Sequence, residues 1–175
     1  WVITPDCSID KWPLITFPLS IALKDGVSKL LPNTEIQLKW PNDILINHKK
    51  CIGILAKSEM KHRKLVIGIG VNIDEPAQMN RTSINDESHV KYDRWDVLDA
   101  LLSALNQHKA EILTATVDSI SWNNSAAYIG KQVNVLADTL ITGINCGIND
   151  KGALMLETPS GQKEIFHGHG LRPLQ

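Results

Sequence analysis

Cysteine is scarce and poorly placed for cross-linking: Cys7, Cys51 and Cys146 are the only three in 175 residues, with no Cys-x-x-Cys among them. An odd, scattered set excludes a disulfide framework and a structural zinc site, and a reducing cytoplasm is the expected compartment. An excess of one charge is missing too. There are 18 Lys and Arg against 19 Asp and Glu, a formal net charge of −1. That leaves no bulk basic face of the kind a polyphosphate backbone requires. No apolar run approaches the ~20 residues of a membrane span, and no signal peptide is visible. Internal repeats and low-complexity tracts are absent. What remains is an ordinary globular composition, 43% hydrophobic and 21% charged, enough to build a core and to exclude disorder as the main state.

Apolar residues at Leu19, Ala22, Leu23, Val27 and Leu30 mix spacings of threes and fours. They predict a helix over Leu14–Leu31, entered after Pro13 and Pro18 and left before Pro32. Strand-like runs follow at Ile36–Trp40, Ile44–Ile46, Ile52–Ala56 and Leu65–Ile73. Their short joins, Pro41-Asn42-Asp43 and Asn47-His48-Lys49-Lys50, argue for an antiparallel or mixed sheet. Asp74–Lys91, with Pro76, reads as a long polar loop of the functional or mobile kind. Asp93 or Asp96 caps a helix running through Leu101 and Leu105 to Ile112, and a weaker helix covers Asp118–Ala127. After Tyr128-Ile129-Gly130 come short alternating runs at Val133–Val135, Leu140–Ile148, Ala153–Glu157 and Lys163–His167, a pattern that suits a small barrel. The chain opens on Trp1-Val2-Ile3-Thr4-Pro5, which reads as the end of a strand without its start, as in a piece of a longer protein.

Chemistry concentrates in Lys39-Trp40-Pro41-Asn42-Asp43, the Lys49–Leu55 run and Val66–Ile73. Pro41 fixes φ and forces a turn at a strand tip, where Asn42 and Asp43 present an amide and a carboxylate. The hairpin returns through Lys50, whose ammonium is placed to reach the same tip. Gly53 permits close approach of a ligand to a strand backbone. Asn72, past Gly68 and Gly70, adds another amide at a strand end; no third glycine and no helix follow, so this is not a dinucleotide fingerprint. Singly, each feature has a plainer reading: a hairpin turn, a solvated lysine, and for Trp40 core packing.

In order, Lys-Trp-Pro-Asn-Asp, Lys-x-x-Gly-Ile-Leu and Gly-Ile-Gly-x-Asn closely resemble the catalytic core of biotin protein ligases. Ile3-Thr4-Pro5, Thr82-Ser83-Ile84 and the Trp95–Leu113 helix fall in the family's order. Gly130, Gly143, Gly147, Gly152-Ala153-Leu154 and Leu171-Arg172 look like its SH3-like C-terminal domain. The resemblance implies an α/β fold: a mixed sheet with flanking helices, related to class II aminoacyl-tRNA synthetase catalytic domains, over residues 1–127, then a small SH3-like barrel over 128–175. It implies ATP-dependent activation of biotin to biotinyl-5′-AMP and transfer to a lysine of a biotin carboxyl carrier domain, with Mg²⁺ accompanying ATP.

Residue by residue, Lys50 matches the family's catalytic lysine, with Lys49 in that role if the hairpin register differs by one. A donor of this kind contributes on the order of 3 kcal/mol of transition-state stabilisation. Asp43 fits either a Mg²⁺ contact or a general base for the acceptor lysine. Asn42 matches a nucleotide-binding position, Asn72 the adenine or ribose end, and Gly53 with Ile54 the biotin pocket. Lys39 adds to the cationic field or forms a structural ion pair. Arg172 matches an interface position from which an arginine reaches the nucleotide side, a structural role being equally open. Arg81 stands where some members stack an aromatic on adenine, and Asp150 where some carry a lysine. His167 and His169 read as surface residues. The family's arginine-glycine loop, its Ser/Thr-rich biotin segment and any winged helix-turn-helix lie upstream of Trp1, so DNA binding by this chain is not expected. A sheet edge bared by that loss would favour a homodimer. The alternatives are a truncated, non-catalytic carrier- or ligand-binding module, and a lipoate-attachment relative.

Overall fold

The computed structural model describes residues 1–74 and 79–174; Pro76 of the expected loop lies outside them. A 3₁₀ segment of about two turns, Ile9–Ile15, leads into α1, Thr16–Leu30. Pro13 thus falls in the 3₁₀ segment, and Pro18 in the first turn of α1, where a missing N–H has no carbonyl to lose. Leu31 ends the helix, and Pro32 with Asn33 at φ 68° turns the chain away.

The strands β1 (Val2–Ile3), β2 (Ile36–Lys39), β3 (Asp43–Ile46), β4 (Lys49–Glu59) and β5 (Lys64–Val71) form a sheet in the order β1-β5-β4-β3-β2. Every ladder in it is antiparallel. The mixed character that the resemblance implies survives among the described residues only as two isolated parallel bridges, Leu38 with Ala126 and Lys50 with Arg81. Alternation decides the faces. Ile44, Ile46, Ile52, Ile54 and Ile67 are buried with Leu19, Leu23 and Val27 of α1 in the core. Leu55, Val66, Gly68 and Gly70 look outward from the other face and are exposed.

α2 (Arg94–Gln107) lies against α1. The approach is close at Gly26, where an added Cβ would stand 3.0 Å from Leu101 Cδ2 and 3.1 Å from the Ala100 carbonyl. Asp93 is the N-cap, its carboxylate accepting from the Trp95 and Asp96 amides while Asp96 reaches back, a reciprocal box. The expected helix to Ile112 is broken at His108, beyond which α3 runs Lys109–Thr114. The weaker helix shortens to α4, Ser119–Asn123, capped by Asp118.

A second sheet, β10-β6-β7-β8-β9, comprises β6 (Gln132–Leu136), β7 (Leu140–Ile148), β8 (Leu154–Thr158), β9 (Gly161–Ile165) and β10 (His169–Pro173). β10 has no clear apolar alternation and was not among the expected strands. Polar side chains tie this sheet to the rest: Trp40 Nε1 donates to the Gly152 carbonyl at 3.2 Å, and Asn145 Nδ2 to the Ala127 carbonyl at 3.0 Å. Trp40 is 2% exposed, so its role is packing, as expected. No helix among the described residues is long and apolar enough to cross a membrane.

Candidate active site

Register brings the expected residues together. Lys39 pairs with Asp43, Asp43 with Gly53, and Gly53 with Gly70, so the four form one row across β2, β3, β4 and β5. Directly opposed residues share a face, and here it is the outward one. A register shift follows Ile44: Ile44 faces Ile52 but Leu45 faces Lys50, which leaves Cys51 as an extra residue. That irregularity turns the Lys50 side chain back along its own strand. Its ammonium lies over Gly53, 3.2 Å from where a Cβ would be, and bonds to Asp43 Oδ1. Lys39 Nζ stands 3.6 Å from Asp43 Oδ2. One carboxylate, 16% exposed, is therefore shared by two ammonium groups. With all three ionised the cluster keeps an uncompensated positive charge, a favourable field for an incoming carboxylate or phosphate. Lys49 pairs with Ile46 and makes no ion pair among the described residues, so the register selects Lys50 for the tip.

Asn42 does not point into this cluster. Its Nδ2 donates to the Ile54 carbonyl at 2.7 Å, and its own carbonyl accepts from the Ile54 amide at 2.9 Å. Ile54 offers only backbone here, since its side chain is 2% exposed in the core. Asn72 Nδ2 donates to the Thr82 carbonyl at 3.1 Å, beside the Lys50 to Arg81 bridge. Lys50, Gly53, Gly70, Val71, Asn72 and Arg81 line a cavity of about 360 Å³. Arg81 is exposed at its rim and makes no ion pair among the described residues.

Gly68 and Gly70 continue the row into an uncovered floor. A Cβ on Gly70 would meet nothing nearer than the Gly53 carbonyl at 4.0 Å, and one on Gly68 only the Leu55 backbone and Cβ, at 3.8 and 4.0 Å. Neither glycine has a positive φ. Folding among the described residues therefore does not demand glycine at either position, and both leave room for a ligand to lie against the backbone. Next to the turn, a larger cleft of about 750 Å³ runs between the 3₁₀ segment, Asn42, Leu55 and the second sheet's connecting residues Gly152 and Phe166.

Arg172 is not brought to the cluster. It faces Asn134 on the exposed side of the second sheet and lines neither cavity. His167 and His169 are exposed. Asp150 accepts from Ser119 Oγ. Among the described residues no three His, Cys, Asp or Glu side chains are placed to hold a metal. Asp43 alone, with both oxygens engaged by ammonium groups, fits Mg²⁺ only as an ion that arrives already bound to ATP phosphates.

The family described as "Biotin/lipoate A/B protein ligase family" matches residues 9–74, and that described as "Biotin protein ligase C terminal domain" matches residues 128–168. A biotin–[acetyl-CoA-carboxylase] ligase of Paracoccus denitrificans is 30% identical over 174 residues, covering 88% of this chain and 72% of its own length. The chain belongs to the biotin protein ligase family. A bifunctional ligase/repressor of Bacillus spizizenii is 32% identical over 94% of this chain, which spans only 54% of that relative. In fold, the crystal structure of the biotin protein ligase of Aquifex aeolicus matches with a TM-score of 0.87 at 24% identity, over 99% of this chain and 80% of that one.

Two residues of this biotin ligase family member enter the site without a sequence signal. Tyr128 is half-buried near Asp43: burial pushes its phenol pKa up and the Asp43 charge adds to the rise. Cys51, the extra residue of the bulge, is 1% exposed, and burial pushes its thiol up to about 12. At pH 8 it stays protonated and poorly nucleophilic. Alkylation of the folded protein with iodoacetamide at that pH is expected to label exposed Cys146 first and Cys51 last, read by peptide mass spectrometry.

Proposed function

We propose that this chain activates biotin with MgATP and transfers it to a lysine of a biotin carboxyl carrier domain. The observation that carries the reading is the Lys50 ammonium laid across Gly53 onto Asp43, at the end of a side-chain-free floor. In the first step an oxygen of the biotin carboxylate attacks the α-phosphorus of ATP; the bond to the bridging oxygen breaks and pyrophosphate leaves. Anionic oxygens converge there, so the Lys50 ammonium exchanges Asp43 for the carboxylate and the α-phosphate as charge builds. Asp43 and Lys39 hold the ammonium in place until the substrates arrive. In the second step the carrier's ε-amine, stripped of a proton, attacks the acyl carbon and AMP leaves, closing the amide. On this reading Asp43 takes that proton once Lys50 has turned to the phosphate.

On this reading the uncovered floor of Gly68 and Gly70 takes the biotin ring, and the cavity at Asn72 and Arg81 takes the nucleotide. The cleft beside Asn42 is read as the entry for a carrier loop, between a proposed catalytic unit of residues 1–127 and a proposed C-terminal unit of 128–175. The relatives' names, and the Lys-Trp-Pro-Asn-Asp turn, favour biotin over lipoate as the acyl group. Incubation of the chain with biotin, MgATP and a carrier domain is expected to yield biotinylated carrier on a streptavidin blot. A folded chain that labels no carrier, or accepts lipoate instead, contradicts the proposal.

A further inference from the structure

Glu87 was not singled out by the sequence, yet its carboxylate joins two segments that flank the cavity. Oε1 accepts from Thr82 Oγ1 at 2.5 Å, and Oε2 accepts from Asn47 Nδ2 at 2.6 Å. Thr82 is 1% exposed, so its hydroxyl has no water to turn to. Asn47 and His48, at φ 47° and 66°, make the hairpin turn that delivers Lys49 and Lys50 to β4. The strap that follows residue 79 is stitched on by its backbone. The Thr82 amide donates to the Lys50 carbonyl and the Lys50 amide to the Asn80 carbonyl, both at 3.0 Å, while Ile84 N donates to the Asn72 carbonyl at 2.9 Å. The Thr82 carbonyl in turn holds the Asn72 amide group.

We propose that Glu87 is a positioning residue for nucleotide binding, acting by clamping the Thr82 strap to the Asn47 turn. The inference rests on the ligase reading above. Glu87 touches no substrate itself; it fixes the separation between the hairpin that carries Lys50 and the strap that carries Arg81 and orients Asn72. Loosening that clamp lets the walls of a cavity of about 360 Å³ drift apart, and a misplacement of ~1 Å is enough to matter at such a site. The biotin floor is built on the ladder between β4 and β5, whose Gly53 and Gly70 also form one side of that cavity; Glu87 does not touch this ladder and acts only on the side that Asn72 and Arg81 line.

Calorimetric titration of MgATP, and separately of biotin, into the full chain tests this. Glu87→Ala is expected to weaken MgATP about tenfold while biotin affinity stays within about twofold. Glu87→Gln is expected to recover most of the loss, because its oxygen still accepts from Thr82 and the exposed Asn47 amide can turn its oxygen to the new N–H. Asn47→Gly, which keeps the left-handed turn, is expected to weaken MgATP in the same direction, and the double variant to be no worse than Glu87→Ala alone. Wild-type affinity retained in Glu87→Ala, or equal losses for MgATP and biotin, overturns the inference and leaves the ligase reading standing. Failure of the wild type itself to bind MgATP overturns the ligase reading. If circular dichroism finds Glu87→Ala unfolded, Asn47→Gly decides: unchanged MgATP affinity there overturns the clamp.

Discussion

Gly70→Val is expected to leave the protein folded and to weaken biotin binding by about 100-fold. The two halves of that result have separate causes. In the unliganded chain a Cβ at position 70 meets open space, with the Gly53 carbonyl at 4.0 Å. Valine also suits a strand better than glycine, a preference of up to about 1 kcal/mol. The melting temperature should therefore hold or rise. Binding should collapse because the branched side chain stands on the floor that biotin is proposed to occupy. A variant that gains stability while losing its ligand separates a functional glycine from a structural one. Gly26 offers the contrast, since a side chain there runs into Leu101 and the Ala100 carbonyl. Gly70→Val with wild-type affinity would mean that biotin lies elsewhere.

Lys50→Ala is expected to lower carrier biotinylation by about 10²–10³-fold, the loss of one preorganised donor to a developing anion. Stability should change little, within about 0.5 kcal/mol, because the side chain is 39% exposed and Asp43 keeps Lys39 as a partner. Lys49→Ala is the matched control, one residue away with no ion pair among the described residues, and should retain activity. Lys39→Ala should fall between, since it weakens the hold on Asp43 without removing the ammonium that meets substrate. Equal loss in Lys49→Ala and Lys50→Ala would point to a general effect of hairpin charge rather than to one placed donor.

Much of this fold is legible in the sequence. Leu19, Leu23 and Val27 announced α1 through their spacing, and Asp93 with Asp96 announced the start of α2 through capping chemistry. Short joins between apolar runs announced antiparallel neighbours, which β2 to β5 are. The break at His108 has no proline or glycine to mark it, and β10 lacks the alternation that betrays a strand. At the site, the turn at Pro41 and the candidates Asp43, Lys50, Gly53 and Asn72 could be named, but not their arrangement. The row from Lys39 to Gly70 depends on register, and the choice between Lys49 and Lys50 depends on the extra residue at Cys51. A single sequence does not encode a one-residue bulge in its composition. The resemblance puts Asn42 and Ile54 in the binding set; both border the larger cleft rather than the cavity at Asn72 and Arg81, with the Asn42 amide holding the turn and the Ile54 side chain in the core. Glu87 carried no signal at all, since one more carboxylate in a polar segment looks like solvation until its two partners are seen in space.

The most direct test of the account is biotin-dependent exchange of labelled pyrophosphate into ATP, which reads the first step alone and needs no carrier. Exchange by the wild-type chain is expected to require biotin, to fail with lipoate in its place and to disappear in Lys50→Ala. Exchange that persists in Lys50→Ala, or its absence from a folded wild-type chain supplied with biotin and MgATP, would contradict the assignment of adenylate formation to this site.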